Sequence, residues 1–324
     1  MIRKKPYIVF MISCFFLLFL VILSLGTGRY SLSLKQIFFF SSLDETAKTV
    51  LFHIRLPRIL ATVLCGAGLA LSGVIFQALF SNPLATGDTL GVATGASFGA
   101  VLAIFFGLSL FWIQLFSLGF GILALLAVAV LSRNNESDTL LMMIFSGMVV
   151  SAFFSALVSL MKYVADPQNV LPAITFWLLG SLSGIQMREV FLTLPFFLSS
   201  FLILFVLRWR LNVLVLQDEE AKSLGSPIVV LRVIFLLCAS MLVGATVSLC
   251  GLIGWVGLLV PHALRKQFGA DHRHLVPLSM SFGAIFLLLT DTLARSLLPS
   301  EVPISILTAL IGAPLFFYLV RKNL

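Results

Sequence analysis

The sequence predicts an all-α, polytopic membrane protein: one membrane domain over residues 1–324, a bundle of about ten transmembrane helices. Three observations carry this. The chain is 60% hydrophobic and only 10% charged, whereas soluble domains are about 45–50% apolar and about 25% charged. Its apolar blocks are continuous, as in YIVFMISCFFLLFLVILSL from residue 7, which excludes the alternating pattern of an outer-membrane barrel. Its basic residues are also unevenly distributed between the loops, as expected of a chain oriented by positive charge.

The elements follow in order. MIRKKP and the apolar block behind it mimic a signal peptide, but the block outruns an h-region and no small-residue cleavage site follows, so 7–26 reads as the first span. Further spans are expected near 56–80, 88–107, 110–132, 139–162, 190–208, 228–250, 275–294 and 304–322, each close to the length a bilayer requires. Two segments are ambiguous, 171–185 and 252–264. Taking 252–264 as a short span and 171–185 as a re-entrant or surface helix gives ten spans and places both termini in the cytosol. That arrangement leaves most of the 21 Lys and Arg residues on the cytosolic side. The longest polar loops are 27–54 and 211–227.

Small residues mark where helices should touch. Lipid supplies no hydrophobic drive for helix association, so close packing relies on Gly, Ala, Ser and Thr. Gly66 with Ala70, Gly68 with Ser72, and Gly91, Gly95 and Gly99 form such faces. Gly147, Ser151, Ser155 and Ser159 recur at i+4 and share one face of the fifth span. That stripe is either a packing seam or the wall of a path for a polar solute. Asn82-Pro83 breaks the second span, and Asn82, Pro83 and Leu84 form either an ordinary cytosolic turn or a constriction at the mouth of a path.

Little in the sequence resembles an active site. GASFG at 95–99 fits G-x-S-x-G, but that motif needs a strand–turn–helix context and acid–base partners. The HRH of 272–274 reads as a solvated loop, and the cysteines Cys14, Cys65, Cys238 and Cys250 as small buried hydrophobes. No metal site and no nucleic-acid-binding domain is expected. Asp291 and Arg295, four apart, are placed to pair at a helix end. Residues 211–227 read as a short amphipathic element: Asp218, Glu219 and Glu220 lead, Lys222 follows, and Gly225 and Pro227 stop it. Leu216, Ala221 and Leu224 would share its apolar face, making it a connector or a docking ledge.

The stretches RLPRILATVLCGAGLALSGVIFQALFSNPLA, GLLVPHALRK, DHRHLVPLS, TDTLAR and EVPISILTALIGAPLFFYL resemble the FecCD family, in order and along nearly the whole chain. Members of that family are permease subunits of ATP-binding-cassette importers for iron chelates and vitamin B12. The resemblance implies the type II ABC importer permease fold in the bacterial or archaeal cytoplasmic membrane. It implies a second permease subunit, expected to be identical, two cytosolic ATPase subunits, and a periplasmic or lipid-anchored substrate-binding protein. ATP and Mg would be bound by the ATPase, and this chain would carry no cofactor and no catalytic residue. Arg55, Arg58 and Arg295 would dock the binding protein, Asn82, Pro83 and Leu84 would form the cytosolic gate, and Asp218, Glu219, Ala221, Leu224 and Gly225 would couple to the ATPase. Two departures from the family pattern are Gln217, where Gly usually precedes the acidic residue, and Ser305 for Gly. The expected cargo is an iron chelate of the siderophore type. The alternatives are cobalamin, haem or an oxyanion such as molybdate, and, remotely, an intramembrane enzyme built on Ser97 or the histidines.

Overall fold

A computed structural model describes residues 5–28, 30, 44–132, 139–216, 218–223, 227–296 and 301–321. All its regular elements are helical. In order they are α1 (Pro6–Gly26), α2 (Glu45–Lys48), a π-helical segment (Thr49–Arg55), α3 (Leu56–Leu79), a 3-10 turn (Gly87–Leu90), α4 (Val92–Phe105), α5 (Leu110–Leu131), α6 (Thr139–Val164), α7 (Val170–Leu178), α8 (Met187–Leu207), α9 (Arg210–Leu214), α10 (Asp218–Ser223), α11 (Ile228–Cys250), α12 (Val256–Phe268), α13 (His272–Ala294) and α14 (Ile304–Arg321). Among the described residues, seven helices are long and apolar enough to cross a bilayer. The rest of the expected ten are shorter: α4, α12 and α14.

α3 is the hub. Nearly every residue from Pro57 to Leu79 is buried, an all-round burial that marks a helix enclosed by other helices rather than by lipid. Its glycines explain how. A Cβ on Gly66 would lie 2.4 Å from the Gly283 carbonyl oxygen of α13, and one on Gly73 only 1.9 Å from the Gly257 carbonyl oxygen of α12. A Cβ on Gly68 would meet the Phe197 ring of α8 at 2.9 Å. Backbones therefore touch, the geometry that small-residue faces permit. The same device joins α4 to α5, where Cβ atoms on Gly95 and Gly99 would strike the Phe120 and Phe116 carbonyl oxygens at 2.9 and 2.2 Å. Ser97 lies between them, buried, its hydroxyl donating to the Ala93 carbonyl 2.7 Å away. That places GASFG in a helix contact.

Three expectations change. The loop expected over 27–54 is helical from Glu45 onward: Asp44 caps α2 by accepting from the Ala47 amide at 3.1 Å, and α2, the π segment and α3 run on as one 35-residue rod. The third span begins at Val92 rather than 88, because Gly91 takes a left-handed φ of 69° ahead of it. HRH is no solvated loop. It opens α13 behind an Asp271 cap, with His272 buried and its Nδ1 2.6 Å from Asn212 Oδ1. The paired Arg273 holds the Asp271 carboxyl well below the usual carboxylate range. The segment expected to be re-entrant or superficial is α7, whose 9 residues are too few to span.

Gly283→Val should therefore force α13 off α3, at or above the roughly 1–3 kcal/mol typical of overpacking. A thermal-shift measurement on purified protein should show a large fall in the midpoint. Gly119→Ala, with nothing within 4 Å of the added Cβ, should leave it unchanged.

Candidate functional site

The sequence-predicted site residues fall into four places. The first is an ion network where α1 ends and α3 begins. Arg58 donates through Nε and Nη2 to Asp291 Oδ1 at 3.0 and 2.8 Å, and through Nη1 to both Glu301 oxygens at 3.0 Å. Arg295 Nε lies 3.8 Å from Asp291 Oδ2, and its Nη2 donates to the Ser24 carbonyl at 2.7 Å. Arg55 donates to the Leu25 and Tyr30 carbonyls. Arg55, Arg58, Arg295 and Asp291 are 4, 6, 7 and 0% exposed, whereas Glu301 is exposed. The three arginines expected to dock the binding protein are thus buried in an ion network. Asp291 and Glu301 together offset two of the three positive charges, Asp291 lying between Arg58 and Arg295, and the network ties α1, α3 and α13 together. The arginines and Glu301 also line a cavity of about 230 Å³.

The second place is the far end of α3. Asn82 N–H donates to the Gln77 carbonyl at 3.2 Å, Asn82 Oδ1 accepts from the Leu84 amide at 2.9 Å, and Leu84 is 58% exposed. This is an Asx turn, which Asn forms through its own side chain. It presents Pro83 and Leu84 at the surface and sends the chain back into the bundle. The return is deep. A Cβ on Gly87 would lie 2.7 Å from Val243 Cγ2, well inside α11. A second irregular segment, 251–255, arrives at the same depth, with Trp255 at a φ of 71° before α12. Between them is a cavity of about 180 Å³ lined by Ser72, Thr86, Thr246, Gly254 and Trp255, among others. Non-helical backbone at membrane depth is tolerated only where protein covers it or a water-filled space adjoins it; here α11 covers it and a cavity adjoins it. Sequence reasoning missed 251–255; GLIGW contains two glycines but no proline to signal a break. Beside this region Gln77 joins two helices, donating to the Gly257 carbonyl at 3.1 Å and accepting from Arg265 Nη1 at 2.9 Å.

Third is the α6 stripe, which divides in two. Gly147 is buried and Ser151 partly so, with Ser151 Oγ 3.2 Å from Thr94 Oγ1; this half packs against α4 and the 3-10 turn. Ser155 and Ser159 are exposed, and Ser159 donates only to the Ser155 carbonyl. In the single chain the first half is wholly or partly buried against these neighbours and the second faces outward.

Fourth is 211–227. It holds two short helices, α9 and α10; Leu216 is exposed between them and Ala221, within α10, is buried, so the expected shared face is described only in part. Asp218 and Glu219 begin α10; Leu224 and Gly225 lie outside the described residues. No cluster of three or more His, Cys, Asp or Glu residues able to hold a metal occurs among the described residues.

Comparison with known proteins follows this geometry. Residues 16–322 match the FecCD transport family. The chain is 46% identical to the molybdate import system permease protein MolB of Haemophilus influenzae, covering 93% of this chain and 91% of that protein. It is 39% identical to an iron chelatin transport system permease protein of Helicobacter pylori, covering 90% and 88%. A solved metal-chelate type ABC transporter in an inward-facing conformation superposes with a TM-score of 0.90 at 45% identity, covering 97% of this chain and 99% of that one.

Breaking the buried pair on one side should be costly, about 3–5 kcal/mol, because it strands a charge. Asp291→Leu and Arg58→Met should each lower the thermal midpoint strongly. The double variant should recover much of the loss.

Proposed function

The chain belongs to the FecCD transport family, and on that premise we propose that it works as one of two identical permease subunits of an ABC importer. Two ATPase subunits would drive it from the cytosol, and an external binding protein would deliver the cargo. The observation that carries this reading is the family match from residue 16 to residue 322.

The site residues take roles within that assembly. Ser155 and Ser159, exposed in the single chain, line the path between the two subunits; neutral hydroxyls offer hydrogen bonds without trapping a charged cargo. Asn82, Pro83 and Leu84 form the cytosolic gate, since their turn is at the surface while the chain on either side is buried. α10, with Glu220 and Ser223 exposed and Ala221 anchoring it, is the ledge that meets the ATPase, together with Asp218, Glu219, Leu224 and Gly225. Arg55, Arg58 and Arg295 receive an acidic side chain of the binding protein, which enters their cavity and takes over the contact with Arg58 that Glu301, the exposed member, makes in the free chain. Arg55→Gln should then weaken docking of the binding protein, and because Arg55 is buried and donates to the Leu25 and Tyr30 carbonyls some fall in the thermal midpoint is expected with it; unchanged docking affinity of the folded variant would make the arginine structural.

For the cargo, we infer a molybdate-like oxyanion first and an iron chelate second. The 46% identity to a molybdate permease supports the first, and the 39% identity to an iron chelatin permease supports the second. The complex reconstituted in liposomes with its ATPase and binding protein should accumulate labelled molybdate in an ATP-dependent manner. Uptake of a ferric siderophore with no uptake of molybdate would reverse the order. Ser155→Trp should block either cargo without dissociating the ATPase; normal uptake would return that face to packing.

The orientation follows from the basic residues: cytoplasmic membrane, both termini cytosolic. A single cysteine placed at Asp166 in a cysteine-free chain should react with an impermeant reagent in whole cells. One at Glu220 should react only after permeabilisation.

A further inference from the structure

Two cysteines far apart in sequence meet inside the bundle. Cys65 lies on α3 and Cys250 is the last residue of α11; both are buried, and their sulfurs are 3.7 Å apart. The Cys250 thiol also lies 3.1 Å from the Thr246 carbonyl. If it donates there, the Cys250 sulfur remains an acceptor for the Cys65 S–H. Both thiols are free.

The pair is buried, at 0 and 1% exposure, beside an open cavity, and a bond there would be consequential. Cys250 is among the residues lining an open cavity of about 500 Å³, together with Trp177, Ser181 and Glu189. This cavity is on the side assigned above to the outside, the compartment in which disulfides persist. Cys250 also sits where several outer segments are pinned together. Its carbonyl accepts from the Ser181 amide at 2.9 Å, and the Gly180 carbonyl accepts from the Ile304 amide at 3.0 Å. A Cβ on the next residue, Gly251, would lie 2.2 Å from the Trp177 carbonyl oxygen. A covalent bond here would fix α11, and through it α7 and the start of α14, against the hub α3.

We propose that Cys65 and Cys250 are an oxidisable dithiol that a peroxide entering the outer cavity closes into a disulfide, locking the outer side of the permease. The chemistry balances in two steps. The Cys250 thiol is oxidised by hydrogen peroxide to a sulfenic acid, releasing one water. The Cys65 sulfur then attacks the Cys250 sulfur, the S–S bond forms, and the sulfenic oxygen leaves with the Cys65 proton as a second water. The sulfurs need to close from 3.7 Å to about 2.05 Å.

The test uses the whole transporter complex in lipid nanodiscs or liposomes. After hydrogen peroxide treatment and quenching, non-reducing digestion and mass spectrometry should recover a peptide pair joined through Cys65 and Cys250, which dithiothreitol abolishes. In Cys65→Ser, the same treatment should leave Cys250 as a sulfenic acid that dimedone traps; Cys250→Ala should leave Cys65 unmodified. ATP-driven uptake should fall in proportion to the fraction cross-linked and recover with dithiothreitol. Two free thiols after treatment, or pairing with Cys14 or Cys238 instead, would overturn the site. A complete cross-link with undiminished uptake would overturn the lock. The locking clause rests on the importer reading, but the disulfide readout does not, so failure of one is distinguishable from failure of the other.

Discussion

Backbone contact at α3 is the constraint on which the rest of the structure depends. At Gly66 against Gly283 and at Gly73 against Gly257, a single methyl group would collide with main-chain atoms. Helices this close gain dispersion contacts along their length, which is the main attraction available to them in lipid. They also leave no space between them for long side chains. Polar groups are therefore displaced towards the ends of the hub: Arg58 holds Asp291 and Glu301 at one end, and Gln77 holds Gly257 and Arg265 at the other. The glycines fix how near the helices lie, and the polar links fix their register.

The hub also explains where irregular backbone is allowed. Residues 80–91 and 251–255 both flank α3, and both are covered by α11 or by the small hydroxyl-lined cavity. Elsewhere in the described bundle the departures from helical geometry lie towards helix ends, where water or headgroups can satisfy the peptide groups. The division of the α6 stripe has the same origin. Gly147 and Ser151 face this packed region and are absorbed into it. Ser155 and Ser159 lie beyond it and remain uncovered.

Much of this was legible in the sequence, because small residues at four-residue spacing carry geometric information. Gly66 with Ala70, and Gly95 with Gly99, marked faces that do touch other helices. Asp291 and Arg295 were placed to pair from their spacing alone. What sequence missed depends on partners distant in the chain. That Arg58 is neutralised by Asp291 follows only once α3 and α13 are side by side. The helix over Glu45–Arg55 was hidden because its polar residues look like a loop until Asp44 is seen to cap it. In 211–227 the break after Leu214 was not legible, because no Gly or Pro announces it.

The shortness of α4 has an electrical consequence. Its 14 residues rise about 21 Å at 1.5 Å each, against a hydrocarbon core of about 30 Å. The remaining thickness is made up by the turn-rich chain from Ser81 to Gly91 and the polar cavity beside it. Along this line the region of low permittivity is thinner than the surrounding bilayer. The self-energy of a charge falls as its distance from a polarisable boundary shrinks, so an ion near α4 meets a narrower barrier than one crossing at α5 or α8. The helical barrier is thus shorter at α4 than at α5 or α8.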